Sequence, residues 1–441
     1  MTMITQEQKK LAQWALDFAL KNGSQASRVS LYSGTNSRFE IRDMKVDRLT
    51  QASESSLAVQ LFVDGRYGSY STNRLDKKEL EKFIKNGIES TRFLAEDKAR
   101  TLPAPELYYK GGSPDLQLID PAYNSIQPDD KVKQAMNACD EIMGKDSRII
   151  SSTSAFSDGF DNRYIIASNG FEGETSSSSF SIEAGVSVKG EGDVRPESYW
   201  YDSSIYFNTL KKEGIGTKAL ERTLRKLGQK KTASGKYRMV VDNLNSTRLV
   251  SPLISALYGS SIQQKNSFLL DKLNEKVLGG NVTLIDDPHR AKSPGARYFD
   301  NEGIATKQRS VFENGILKTY YIDTYYGNKL EIAPTISSPS ILVLQPGNKD
   351  VEGLVASVDK GILVTGFNGG NSNSSTGDFS YGIEGFLIEK GKLTQPINEM
   401  NITGNFLTLW NDLAEAGNDP RETSSWKIPS LLFNNVNFSG L

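Results

Sequence analysis

Residues 251–271 read SPLISALYGSSIQQKNSFLLD, an apolar helical stretch that runs into a serine-rich polar segment with one lysine, Lys265. Three catalytic arrangements can be drawn from the chain's own residues. A lysine near a serine can take the hydroxyl proton and activate a nucleophile, which makes Lys265 and Ser267 a candidate dyad. The segment LIDDPHR places His289, the one histidine of the chain, beside Asp286 and Asp287, the makings of a serine–histidine–aspartate triad. The same aspartates with Asp378 would offer oxygen ligands to a hard cation. None has a local signature. No strand–nucleophile–helix turn accompanies LIDDPHR, Pro288 reads as a turn after a strand, and adjacent aspartates in a turn are usually solvated. With one histidine and one cysteine, Cys139, neither a two-histidine metal site nor a four-ligand Cys/His zinc site can be assembled within this chain.

Composition narrows the rest. A chain of 441 residues predicts two or three domains. Hydrophobic residues make up 37% and charged residues 24%, the balance of a soluble globular protein. The 52 basic and 53 acidic residues leave a net charge of -1, so no global field draws nucleic acid or an anionic membrane. MTMITQEQKK lacks the apolar core of a secretion signal, and no apolar run reaches the roughly 18–20 residues that span a bilayer. A cytoplasmic location is the expectation. The single cysteine excludes an internal disulfide, and its helical spacing with Val132, Ala135, Met136 and Met143 predicts a core position.

The elements that must hold these residues can be sketched. Leu11, Trp14, Ala15 and Phe18 predict a helix over 5–22, stopped by Gly23. RVSLYSG, SRFEIRD and KVDRLTQ read as short strands, and LAVQLFVDGRYGSYS as a hairpin about Asp64-Gly65. A helix begins at Asp76 with Glu79 as a capping box. Leu102 to Pro128 looks like a long Pro-containing connection before the Cys139 helix. RIISSTSAF, RYIIASNG and FSIEAGVSVKG read as β segments, and GIGTKALERTLRKLGQKK as an amphipathic helix ending near Gly228 with a solvated basic face. KYRMVVDN is a strand, residues 245–258 a helix, and Asn314-Gly315 and Lys390-Gly391 mark hairpins. FNGGNSNSSTGD, residues 367–378, reads as a flexible loop or a rim able to receive an extended peptide. The fold class is therefore α+β. Residues 1–228 form an N-terminal α/β domain with a mixed or antiparallel sheet, and residues 229–441 a β-rich domain.

Several long segments in order resemble the TldD/TldE family, also called PmbA or modulator of DNA gyrase. They are RFEIRDMKVDRLTQASESSLAVQLFVDGRYGSYSTNRL, KNSFLLDKLNEKV, DNEGIATKQRSVFENGILKTYYIDTYYGNKL, STGDFSYGIEGFLIEKGKLTQPINEMNITGN and LAEAGNDP. The resemblance implies a cytoplasmic metalloprotease of two related subunits. Its TldD-type member carries H-E-x-x-x-H on a helix and a C-terminal cysteine as zinc ligands, the two histidines pointing to one side. Its TldE-type member lacks the motif and pairs with the first. Counted back from Lys265, the motif positions fall on Ser251, Pro252 and Ala256, and no cysteine follows residue 139. Serine, proline and alanine cannot replace two imidazoles and a carboxylate. The resemblance thus points to the TldE-like branch, with no catalytic residue and no metal in this chain, zinc in a TldD-like partner, and unfolded peptide as substrate. A homodimer in isolation is the other assembly to consider. Gln263, Lys265 and Ser267, with Asn368, Asn371, Asp378 and Tyr381 and the strand that follows, are the candidate substrate or partner surface.

Overall fold

The computed structural model describes residues 3–440. Thr5 accepts the Gln8 amide while the Gln8 side chain reaches back to the Thr5 amide, and this reciprocal cap starts α1 (Gln6–Lys21). Two strands follow where four were expected. β1 (Ala26–Arg42) and β2 (Lys45–Val63) pair along their whole length. Their turn explains the difference: Asp43 and Met44 take φ of 46° and 63°, a mirror-image turn with neither Asn nor Gly to announce it. Once that register is set, the apparent break at Gly34–Asn36 is carried as strand by its neighbours.

β3 (Arg66–Thr72) completes the Asp64-Gly65 hairpin. Asp76 caps α2 (Lys77–Arg92), but Glu79 pairs with Arg74 and Lys82 instead of closing a capping box. α3 (Pro128–Asp140) buries Cys139, whose sulfur lies 3.2 Å from the Ser152 hydroxyl. β4 (Ile149–Ala167), β5 (Glu172–Val188) and β6 (Glu197–Ser204) finish an antiparallel sheet in the order β3-β2-β1-β4-β5-β6. Then comes α4 (Ile215–Leu224), shorter than expected. Alternate residues of β1, Val29, Leu31, Phe39 and Ile41, are buried on one face, the first two in a core with α1 and α2 and the last two in a core with α3 and α4.

The C-terminal half begins with β7 (Gly235–Val241), α5 (Thr247–Ser255) and α6 (Gly259–Gln263). β8 (Leu284–Asp286), β9 (Arg309–Glu313) and β10 (Ile316–Leu317) follow, the last two joined at Asn314-Gly315. Next are α7 (Thr324–Leu330), β11 (Leu342–Leu344) and α8 (Val351–Ala356). β12 (Lys360–Ser372), β13 (Asp378–Glu389) and β14 (Lys392–Asn405) form a meander that turns at Lys390-Gly391. α9 (Phe406–Asn411), β15 (Leu413–Ala416), β16 (Trp426–Lys427) and β17 (Leu431–Ser439) end the chain. The short strands make one sheet, β10-β9-β8-β11-β16, and the long ones another, β14-β13-β12-β7-β17-β15.

The second of these sheets closes. β14 also pairs with β17, Ile402 opposite Phe438, so β14, β13, β12, β7 and β17 form a barrel. Closure removes free edges. β13 is paired on both sides, so Tyr381–Ile388 offers no edge to an extended peptide, and the Tyr381 side chain is only 2% exposed. Tyr381 is thereby corrected from a surface candidate to a core residue. The Gly/Asn-rich segment is also mostly strand: β12 runs to Ser372, and only residues 373–377 make the turn.

Two expectations about the seam between the halves change. The Pro-containing stretch 102–128 is less a connection than a strap, because the Tyr109 amide donates to the Gly303 carbonyl at 3.0 Å and the Lys292 amide to the Leu116 carbonyl at 2.8 Å. The basic face of α4 is not simply solvated. Arg222 lies 3.5 Å from Asp242 and Lys226, just beyond the helix, 2.6 Å from Glu384, both carboxylates belonging to the C-terminal half.

Candidate functional site

α5 is held by its apolar side. Leu249, Val250, Leu253 and Ile254 are buried, and the Trp410 indole of α9 donates to the Leu249 carbonyl at 3.2 Å. Arg248, Ser251 and Ser255 form the exposed stripe. Ser251 therefore faces solvent while Ala256, at the helix end, is 2% exposed. Pro252, between them, lacks an amide and cannot donate to the Arg248 carbonyl four residues back. Replacing Pro252 by Ala restores that donor and is expected to stabilise the fold by about 1–2 kcal/mol, after allowing for the proline's restriction of the unfolded chain. A lower urea midpoint in the variant would show that the proline is accommodated without cost.

The exit of the helix is built rather than loose. Ser267, 5% exposed, donates its hydroxyl to the Ala256 carbonyl at 2.6 Å and accepts the Leu269 amide at 3.0 Å. That hydroxyl ties off the end of α5. Ser267 is corrected from a substrate contact to a structural residue, and the Lys265–Ser267 dyad is absent because the serine bonds to backbone. Gly259 allows α6 to approach α7 closely, since a Cβ there would sit 2.6 Å from the Tyr326 Cβ. Lys265 is exposed with φ 55°, Gln264 and Asn266 are exposed, and Gln263 is half-buried.

This exit meets the β12–β13 turn. Ser375 donates to the Asn266 side chain at 2.6 Å, and the Phe268 amide donates to the Ser374 carbonyl at 2.9 Å. Phe268 stacks on Phe406, which packs on Phe379 and so on to Tyr381. Arg248 of α5 lies 4.8 Å from the Tyr381 ring centroid. Asn373 accepts the amides of Ser375 and Thr376 and fixes the turn. Asp378 accepts from Asn405 and Thr376, which hold its carboxyl below the usual range. The structure thus joins Gln263–Ser267 to the hairpin tip that ends at Asp378. Asn371 stays exposed on β12. Asn368 lies elsewhere, bonded to Asn398 and lining a cleft of about 830 Å³ between the two halves.

The other catalytic arrangements do not assemble. Burial raises the Asp286 carboxyl, whose oxygen accepts the amides of Ser340 and Ile341 at 2.9 and 3.1 Å and so fastens β8 to β11. Asp287 pairs with Arg290, and His289 bonds to Thr306 at 3.0 Å. Asp378 belongs to the barrel hairpin, apart from the short sheet that holds Asp286. A serine–lysine pair that spacing did not reveal joins Ser37 and Lys131 at 3.4 Å. The Lys131 ammonium is paired with Asp158 at 2.7 Å, an ion pair at the edge of the α3 core rather than an isolated dyad. Among the described residues no group of three or more His, Cys, Asp and Glu side chains is arranged to hold a metal ion. The residues at the motif positions supply one hydroxyl and do not fit zinc.

Sequence reasoning also missed the cleft between the halves. Beside it, Trp200 of β6 packs against Arg222 and Arg421, with guanidinium carbons 5.4 and 5.0 Å from the ring centroid. The helical spacing of Lys218, Arg222 and Arg225 was the available signal.

Comparison with known proteins gives a consistent result. The PmbA/TldA metallopeptidase C-terminal domain matches residues 234–440, the central domain residues 121–227 and domain 1 residues 28–91. Metalloprotease PmbA of Escherichia coli O157:H7 is 25% identical over 442 residues, covering 98% of this chain and 97% of that protein. A metalloprotease TldD homolog of Buchnera aphidicola is 27% identical over 176 residues, 37% of this chain and 36% of that one. A crystal structure from Bacteroides thetaiotaomicron, named as a candidate modulator of DNA gyrase, superposes with TM-score 0.98 at 64% identity over 100% of both chains. TldE of Thermococcus kodakarensis shares the fold, with TM-score 0.86 at 19% identity over 98% of this chain and 100% of that one.

Proposed function

This chain belongs to the PmbA/TldA metallopeptidase family, and on that premise we propose that it is the non-catalytic, TldE-like subunit of a cytoplasmic two-subunit protease. It would shape a chamber that admits unfolded peptide, while zinc and the hydrolytic chemistry reside in a TldD-like partner. Residues 1–228 and 229–441 are its two units in this reading. The observation that carries it is the donor set at the motif positions: Ser251 in solvent, Pro252 without a carboxylate, and Ala256 buried.

A place for a partner supports the same reading. β3 covers only Leu57–Val63 of β2, so residues 45–56 have no strand on that side among the described residues. Val46 and Leu49 there are 48% and 56% exposed. Such an edge is suited to pair with a strand of another chain. Among the described residues no helix is long and apolar enough to cross a membrane.

The test measures bound zinc and cleavage of an unfolded peptide, for this chain alone and mixed with the TldD-like subunit of the same cell. The expected result is neither zinc nor cleavage alone and cleavage in the mixture. Stoichiometric zinc or turnover by the single chain would overturn the reading. A stable homodimer that ignores the added subunit would replace it with a stand-alone peptide-binding protein.

A further inference from the structure

Beside the 830 Å³ cleft, and sharing the Arg222 and Lys226 wall with it, lies a second cavity of about 600 Å³. Its floor is apolar, formed by Val351, Val355, Leu363, Phe386 and Leu393, and Trp200 closes one side. Its remaining wall is cationic. We propose that this cavity binds an apolar carboxylate, in the form of the C-terminal residue of a peptide whose last side chain is apolar or aromatic. The site lies apart from the vacated helix, and the proposal stands or falls on this chain alone, without the partner subunit.

Charge is what favours this occupant. Five cations, Lys218, Arg222, Arg225, Lys226 and Lys392, face two carboxylates, Asp242 and Glu352. Arg222 is matched by Asp242, and Lys226 by Glu384. Lys218, Arg225 and Lys392 have no ion pair among the described residues, and all three are exposed. Two of them lean on rings instead. Lys218 lies 5.9 Å from the Trp200 centroid and Arg225 5.4 Å from that of Phe386. The Nε of Arg222 is buried without a hydrogen-bond acceptor, as is that of Arg421, a third cation against Trp200. A carboxylate entering here finds guanidinium and ammonium donors that charge-assisted hydrogen bonds can use. Its apolar side chain covers Phe386 and Leu393. A neutral amide at the same position would gain the apolar contact and forfeit the charged ones, so the site discriminates a free chain end from an internal peptide bond.

The test titrates the purified chain with N-acetyl-Ala-Ala-Phe, its C-terminal amide and N-acetyl-phenylalanine, by calorimetry and tryptophan emission. The free acid is expected to bind with an affinity that falls as salt rises. The amide is expected to bind about tenfold more weakly or worse, and so is the acid to Lys218→Glu with Arg225→Glu, an exposed pair whose folding is checked by its urea midpoint, with Lys218→Gln and Arg225→Gln as the milder pair. Trp200→Phe should keep the heat of binding and lose the emission change, which separates Trp200 from the other three tryptophans. Equal binding of acid and amide, wild-type binding by the charge-reversed variant, or no saturable binding would each overturn the proposal. N-acetyl-phenylalanine binding as tightly as the tripeptide would overturn the assignment to a peptide end.

Discussion

Restoring the motif by Ser251→His, Pro252→Glu and Ala256→His is expected to yield a destabilised protein that binds no stoichiometric zinc and cleaves nothing. At Ser251 an imidazole would stand in solvent. At Ala256 it would enter a site that is 2% exposed, beside the carbonyl that accepts the Ser267 hydroxyl. Overfilling a packed site costs about 1–3 kcal/mol, and burying an imidazole without a partner costs a further 1–3 or so. A loss of about 3 kcal/mol is therefore expected from Ala256→His alone, read as a lower urea midpoint at unchanged slope. Ser251→His alone should be close to neutral. Stoichiometric zinc with peptidase activity in the triple variant would mean that the packing around Ala256 opens to let an imidazole out. The catalytic vacancy would then be one of side chains only and not of backbone.

Trp410→Ala is expected to be the most damaging single truncation near the same helix, at about 3–5 kcal/mol. Trp410 is 1% exposed and meets Phe433 edge-on at 5.5 Å. Its indole N–H also reaches the Leu249 carbonyl, so α9 and α5 are joined by both packing and a hydrogen bond. Trp410→Phe keeps much of the ring volume and removes the donor, and should cost distinctly less. Hydrogen exchange of the α5 amides would report the loosening directly. If Trp410→Ala left both stability and α5 protection unchanged, the indole would not be what seats the helix, and the buried face of α5 would have to suffice by itself.

That seating matters because it separates chemistry from architecture. α5 is packed on its apolar side and tied at its end by Ser267, and its exposed stripe carries Arg248, Ser251 and Ser255. On the proposed reading, a subunit that only shapes a chamber needs that wall and not the imidazoles.

The chain's own letters settled whatever depends on near neighbours. The Asp64-Gly65, Asn314-Gly315 and Lys390-Gly391 turns and the helix start at Asp76 all follow from residues a few places apart. The Asp43-Met44 turn is local but chemically silent, so β1 and β2 were legible only in fragments. What required the folded molecule was pairing over long separations. The β14–β17 contact joins Asn401–Thr403 to Asn437–Ser439 and closes the barrel, while β12 and β14 pair with both sides of β13 and so remove the edge it had seemed to offer, with Tyr381 buried inside. Ser267 looked available until its hydroxyl met a carbonyl eleven residues back. The cations of α4 and its end looked solvated until the chain returned with Asp242 and Glu384 to pair Arg222 and Lys226, leaving Lys218 and Arg225 beside Lys392 around one cavity. Spacing determines which side chains share a face, but which neighbour occupies that face is decided by the non-local packing of the two halves.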